Sequence, residues 1–219
     1  MIQLDREGPV FVLRMTAGEN RFHPDFLRAY GEALDRVEKA EGPAALVTTG
    51  DGKFFSNGLD LDWMGNEGRE RAGENLAEVL RMFARVLVFP GATVAAVNGH
   101  AFAGGGMLAL AHDLRVMRAD RGYFCLPEVD LGLPLHPGMT ALIQAKLPKR
   151  TAHEAVVTGR RYGGAAAAAA GIVDEALAEE ALLARAVELA AGLAGKRRDT
   201  MAALKRGLYP EALRALGAS

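Results

Sequence analysis

The stretch best suited to chemistry is Val97-Asn98-Gly99-His100-Ala101-Phe102-Ala103-Gly104-Gly105-Gly106-Met107, an apolar strand running through a glycine cluster into a helix. Glycine loses more backbone entropy on folding than any other residue, so three in a row mean that bare backbone is needed here. The first N–H groups of a helix have no internal acceptor. Placed after a glycine cluster, they suit an anion or an oxygen that becomes negative during a reaction. Close packing of the helix on a neighbour is the competing explanation. Gly99 and Gly104 have Walker A spacing, but Gly105 and Gly106 stand where Lys and Ser/Thr should follow, and no G-x-G-x-x-G is present. What remains is a polarising site without a metal.

Other reactive side chains are few. Ser56 and Ser219 are the only serines, and a nucleophile elbow fails around Ser56 because Phe54 occupies the first glycine position. His23, His100, His112, His136 and His153 form no i, i+4 pair and have no cysteine cluster, which gives a metal site little support. His112, beside Asp113, reads as a helix-end residue with local hydrogen bonds. Cys125 lies in an apolar run and reads as a buried, inert thiol. Glu128, in Leu126-Pro127-Glu128-Val129-Asp130-Leu131-Gly132-Leu133-Pro134, is flanked by apolar residues in a loop. Burial there would raise its pKa toward that of a useful base, whereas a lone Glu in such a place otherwise reads as a surface residue or a cap.

The elements that must position these groups alternate. Strands are expected at 10–15, 44–49, 93–97, 114–117 and 123–125, with helices over 26–37, 76–87 and 107–112. Residues 53–63 and 126–138 read as loops, and beyond residue 139 the pattern is helical, with Gly171 as a C-cap. An α/β class follows, with right-handed crossovers. The basic segments Lys196-Arg197-Arg198 and Lys205-Arg206 read as a solvated face, with anion binding or a subunit contact as the alternative. The chain has 219 residues, half of them hydrophobic, enough for one substantial core, and its net charge of −1 argues for neither nucleic acid nor a membrane surface. One cysteine, no signal-peptide pattern and no long apolar run predict a cytoplasmic protein.

Three segments together resemble the crotonase (enoyl-CoA hydratase/isomerase) superfamily: Phe55 to Leu61, Ala95 to Gly106 and Pro127 to Leu133, supported by Thr158-Gly159-Arg160 and Ala170 to Glu175. The resemblance runs from about Val10 to Glu175. It implies a spiral of β-β-α units over residues 1–160 carrying an acyl-CoA site. It also implies a helical region over 161–219 used in homotrimers or homohexamers, and no cofactor beyond the coenzyme A of the substrate. Position by position, it puts two oxyanion-hole N–H groups on Leu59 and Gly104 and the catalytic carboxylate on Glu128. Gly58, Asp60, Leu61, Trp63, Phe102 and His136 become substrate-binding candidates, and Arg21 or the basic tail of a neighbouring subunit becomes a candidate for the CoA phosphates. Crotonase-type hydratases generally use two glutamates, and Met107 stands at the first of those positions. One carboxylate is enough to move a proton from C2 to C4 of a 3-enoyl thioester, so the resemblance is nearest to the 3-enoyl-CoA isomerases. Two alternatives are a hydratase that recruits Asp130 or His136, and a homologue that binds acyl-CoA without turnover.

Overall fold

Three times in succession a long buried strand is followed by a short one and then by helix, and the two kinds of strand sort into two sheets. The computed structural model describes residues 1–218. Its strands are β1 (Ile2–Glu7), β2 (Val10–Met15), β3 (Ala45–Gly50), β4 (Phe54–Ser56), β5 (Thr93–Val97), β6 (His100–Phe102), β7 (Leu114–Arg118), β8 (Phe124–Cys125) and β9 (Glu175–Leu177). The larger sheet has the order β1-β2-β3-β5-β7-β9 and the smaller β4-β6-β8; only the β1–β2 pair is antiparallel. The helices are α1 (Pro24–Glu38), α2 (Leu61–Gly65), α3 (Ala72–Leu87), α4 (Gly104–Ala111), α5 (Glu128–Leu131), α6 (Pro137–Lys146), α7 (Lys149–Thr158), α8 (Gly164–Ala169), α9 (Glu179–Ala194), α10 (Arg198–Leu208) and α11 (Pro210–Ala215).

Strands β3 and β5 are buried along their whole length, as parallel strands covered on both faces must be. Leu46, Ala95 and Val97 face the core built with α1, α3 and α4, whereas Val47, Val94 and Ala96 alternate to the other face and meet Leu182, Ala186 and Ala190 of α9. The chain past residue 160 is therefore part of the same core: β9 pairs with β7 and α9 lies across the sheet. The strand at 175–177 and the N-terminal strand at 2–7 are corrections to the pattern reading. So are β4 and α2 within 53–63, and α5 within 126–138. Each is short or, like β1, mostly exposed, so it carries too few alternations to show a period.

Two cations of the tail are structural. Arg198 donates to the carbonyls of Val37 at 3.1 Å, Glu38 at 2.9 Å and Ala40 at 2.7 Å, closing the open end of α1. Lys205 is buried, and its Nζ donates to Phe89 O at 3.0 Å, Gly91 O at 2.7 Å and Asp113 Oδ2 at 2.7 Å. At these two positions the solvated-face reading gives way to tertiary contacts. Lys205→Met removes one partner of a buried charge pair and leaves three acceptors short, so the unfolding free energy should fall by about 3 kcal/mol in a denaturant titration. An unchanged midpoint would show that water replaces the ammonium.

His112 is fully buried, and its Nδ1 lies 2.8 Å from Leu108 O while its Nε2 lies 2.8 Å from Thr48 Oγ1. A carbonyl only accepts, so Nδ1 carries the proton and Nε2 accepts from Thr48. Burial lowers its pKa to about 4. The unfolded chain binds this proton near 6.5, so stability should fall as pH drops from about 6.5 to about 4, by about 3 kcal/mol. Thermal melts of His112→Gln, expected to lose that part of the acid sensitivity, check the assignment.

Candidate active site

The three groups singled out in the sequence follow the C-terminal ends of three adjacent parallel strands. Ser56 ends β4, Phe102 ends β6 and Cys125 ends β8; Leu59, Gly104 and Glu128 come within the next three residues of each. The register pairs Ser56 with Ala101 and Phe102 with Cys125, so the small sheet alone sets these turns side by side. The carboxyl edge of parallel strands is where open α/β sheets commonly bind ligands.

A cavity of about 400 Å³ opens at this edge. Leu59, Leu61, Phe102, Gly104 and Glu128 line it, with Leu131, Leu133, Pro134, Leu135 and Met139 as an apolar wall and Arg21, Asn57, Asp62, Ala103, Cys125, Pro127 and Arg161 completing it. Among the described residues neither the Leu59 nor the Gly104 N–H has an acceptor; Gly104 opens α4, whose first internal bond runs from Met107 N to Ala103 O at 3.1 Å. Ala103, just before it, holds φ +49° and ψ −123°, a region that favours glycine, while its own N–H is tied to Cys125 O at 3.0 Å. A strained residue held from both sides at a pocket wall is a mark of a functional turn.

The glycines serve both readings of the triplet. A methyl on Gly105 would come within 2.0 Å of Ser56 O, so this residue lets α4 pack against β4. Gly58 has φ +78°, and a methyl there would lie 2.6 Å from the Gly104 nitrogen. Gly58 is not on the cavity wall; it lets the Leu59 loop approach the start of α4. Close packing and an accessible donor pair are one arrangement.

Glu128 is 9 % exposed, and its Oε2 has no hydrogen-bond partner. Burial raises its pKa above the ordinary carboxylate range. The other carboxylate on the wall, Asp62, is exposed and paired with Arg21. Met107 is fully buried in the core. No cluster of His, Cys, Asp and Glu among the described residues is arranged to hold a metal ion.

Several candidates lie elsewhere. Asp60 is turned away from the cavity: its Oδ1 accepts from Trp63 N at 3.2 Å, capping α2. Trp63 stands edge-on to His23, with ring centroids 5.3 Å apart, and does not reach the wall. His136 caps α6, its Nδ1 accepting from Gly138 N at 3.0 Å. Asp130 is exposed beside Gly159. The Arg21 guanidinium is already engaged, donating to Glu19 at 2.6 Å and to Asp62.

The pattern reading missed Glu19-Asn20, which holds the Leu59 loop. Asn20 Nδ2 donates to Phe55 O at 3.0 Å, Ser56 Oγ donates to Asn20 O at 2.8 Å, and Asn57 Nδ2 donates to Glu19 Oε2 at 3.0 Å. The available signal was Asn20 after Gly18: Asn tolerates a left-handed backbone, and here φ is +51°.

Known proteins point the same way as the geometry. The enoyl-CoA hydratase/isomerase family matches over residues 6–217. The enoyl-CoA delta isomerase 2, peroxisomal, of Arabidopsis thaliana is 38% identical, with 99% of this chain and 95% of that protein covered. Enoyl-CoA delta isomerase 3 of the same plant is also 38% identical, over 98% and 94% of the two chains. Among solved structures, a probable enoyl-CoA hydratase from Mycobacterium tuberculosis superposes with a TM-score of 0.92 at 28% identity, covering 99% of this chain and 91% of that one. With two unpaired N–H groups and a buried carboxylate at one sheet edge, and a match along nearly its whole length, the chain belongs to the enoyl-CoA hydratase/isomerase family.

Proposed function

We propose that the protein isomerises 3-enoyl-CoA to trans-2-enoyl-CoA in fatty acid oxidation. The observation that carries this reading is that, among the described residues, Glu128 is the one carboxylate on the cavity wall outside a salt bridge. The thioester oxygen accepts from the N–H groups of Leu59 and Gly104, which stabilise the charge of the dienolate; one such donor is typically worth a hundred- to a thousand-fold in rate, on the order of magnitude seen in other oxyanion holes. The Glu128 carboxylate takes a proton from C2. The C2–H pair becomes the C1=C2 bond of the dienolate as the carbonyl π pair moves to the thioester oxygen. Protonated Glu128 then gives the proton to C4, whose new C–H bond takes the C3=C4 pair while the C1=C2 pair becomes C2=C3 and the carbonyl reforms. No electron leaves the substrate, so coenzyme A, carried by the substrate itself, is the only cofactor the scheme needs. A raised pKa suits a group that is base in one half of the reaction and acid in the other.

The two enoyl-CoA delta isomerases of Arabidopsis thaliana support the same reading. Water addition would need a second group, and Met107, Asp130 and His136 are all off the cavity wall. We place the protein in the cytoplasm on the strength of its single, buried thiol; no helix among the described residues is long and apolar enough to cross a membrane. Assembly as a homotrimer or homohexamer through the helical region over 161–219 is supported by Leu204 and Leu208, both largely exposed on α10.

Purified protein supplied with 3-hexenoyl-CoA should form trans-2-hexenoyl-CoA, and with crotonyl-CoA should form little hydrated product. Hydration without isomerisation would establish a hydratase. Tight thioester binding with no exchange of the C2 proton into deuterated solvent would establish a binding protein.

A further inference from the structure

The cavity wall continues past Phe102 onto a surface that its acid–base chemistry does not use. The rings of Phe54, His100, Phe102 and Tyr123 form one aromatic floor across the small sheet: centroids lie 5.4 Å apart for Phe54 and His100, 4.8 Å for His100 and Phe102, and 5.7 Å for His100 and Tyr123. Three cations rim this floor. Lys53 Nζ stands 5.4 Å from the centre of the Phe54 ring and the Arg161 guanidinium 5.8 Å from that of Phe102, while Arg121 adjoins the tight turn at Gly122 that leads to Tyr123. All three are exposed, and among the described residues none forms a salt bridge. Burial first, and then the fields of Lys53, Arg161 and Arg121, push the pKa of His100 down.

Arg21, the other cation of the cavity, has its charge met by Glu19 and Asp62. Arg161 lines the same cavity and, among the described residues, forms no salt bridge. The contrast gives the pocket a direction, with a neutralised end beside Leu61 and a free positive end beside Phe102. Flat guanidinium groups over aromatic faces are pre-organised to take a carboxylate or phosphate.

We propose that Arg161, with Lys53 and Arg121 behind it, forms an anion subsite continuous with the acyl-CoA cavity, which binds a carboxylate at the far end of the acyl chain. This deepens the acyl-CoA reading and rests on it. The CoA ester of a dicarboxylic acid has this chemistry.

Equilibrium binding of unreactive saturated thioesters separates the cases without turnover. Hexanoyl-CoA, adipoyl-CoA and hexanoyl-pantetheine are titrated into wild type, Arg161→Gln and the triple variant Lys53→Gln/Arg121→Gln/Arg161→Gln, with circular dichroism and solution mass recorded for each. A charge-assisted contact at an exposed site predicts a loss of about tenfold in affinity for Arg161→Gln, larger in the triple variant and shrinking at high salt. A loss confined to adipoyl-CoA assigns the subsite to an acyl carboxylate. An equal loss for both CoA esters, absent for the pantetheine ester, overturns the proposal, because the anion held is then a CoA phosphate. Unchanged affinities for all three overturn the proposal while leaving the acyl-CoA reading in place; if solution mass falls as well, the cations serve a contact between copies. Failure of wild type to bind any thioester overturns both.

Discussion

Replacing Glu128 by Gln should lower kcat for 3-hexenoyl-CoA by about a thousand-fold, within the range general acid–base groups supply, while KM moves little. Gln keeps the volume and most of the polarity of Glu but can neither take the C2 proton nor return it to C4. The wild-type rate should rise with pH through an apparent pKa above the usual carboxylate value of about 4.3, because burial holds the Glu128 proton, and that limb should vanish in the variant. Stability should move the other way. A carboxyl whose folded pKa is raised contributes stability that is full below its unfolded pKa and is lost as pH rises through the folded one. Glu128→Gln should therefore melt at or above the wild-type temperature near neutral pH and converge with it at about pH 4. A variant that keeps full activity, or that is less stable at neutral pH, would remove Glu128 from the mechanism proposed here.

Gly58→Ala should cost a hundred- to a thousand-fold in kcat/KM, on the order of losing one oxyanion donor. The new methyl would sit 2.6 Å from the Gly104 nitrogen and 3.0 Å from its Cα, with backbone on both sides of the contact, so no flexible side chain is there to yield. The Leu59 loop and the start of α4 must separate, and the two N–H groups then no longer converge on one oxygen. The left-handed backbone at φ +78° adds a penalty of about 1 kcal/mol for a residue with a Cβ. Gly73→Ala, where the added methyl meets nothing within 4 Å, is the matched control and should keep wild-type rates. Measured with both variants folded by circular dichroism, a Gly58→Ala enzyme with normal kcat would show that Leu59 and Gly104 do not act together.

The alternation of strand and helix is legible in the residues alone, because parallel strands covered on both faces are continuous apolar runs and helices such as α3 bury one regular stripe. The sequence also marks Gly104 and Glu128: a glycine run where a helix begins, and a carboxyl among apolar neighbours, are local facts. The resemblance added Leu59, which no local pattern marks. The rest depends on contacts between segments distant in the chain. The three-residue strands β4 and β6 carry no readable period, and although β8 falls within the strand expected at 123–125, it is the register of the three that brings Leu59, Gly104 and Glu128 to one edge. Asp60, Trp63 and His136 fell outside the cavity because a side chain one or two positions along a turn points elsewhere, to a helix cap or another ring. Lys205 and Arg198 looked like solvated charge because a helical tail gives no sign of what it folds onto. Their partners, Asp113 and the end of α1, are far away in the chain, and a long-range contact of that kind is written in no local pattern.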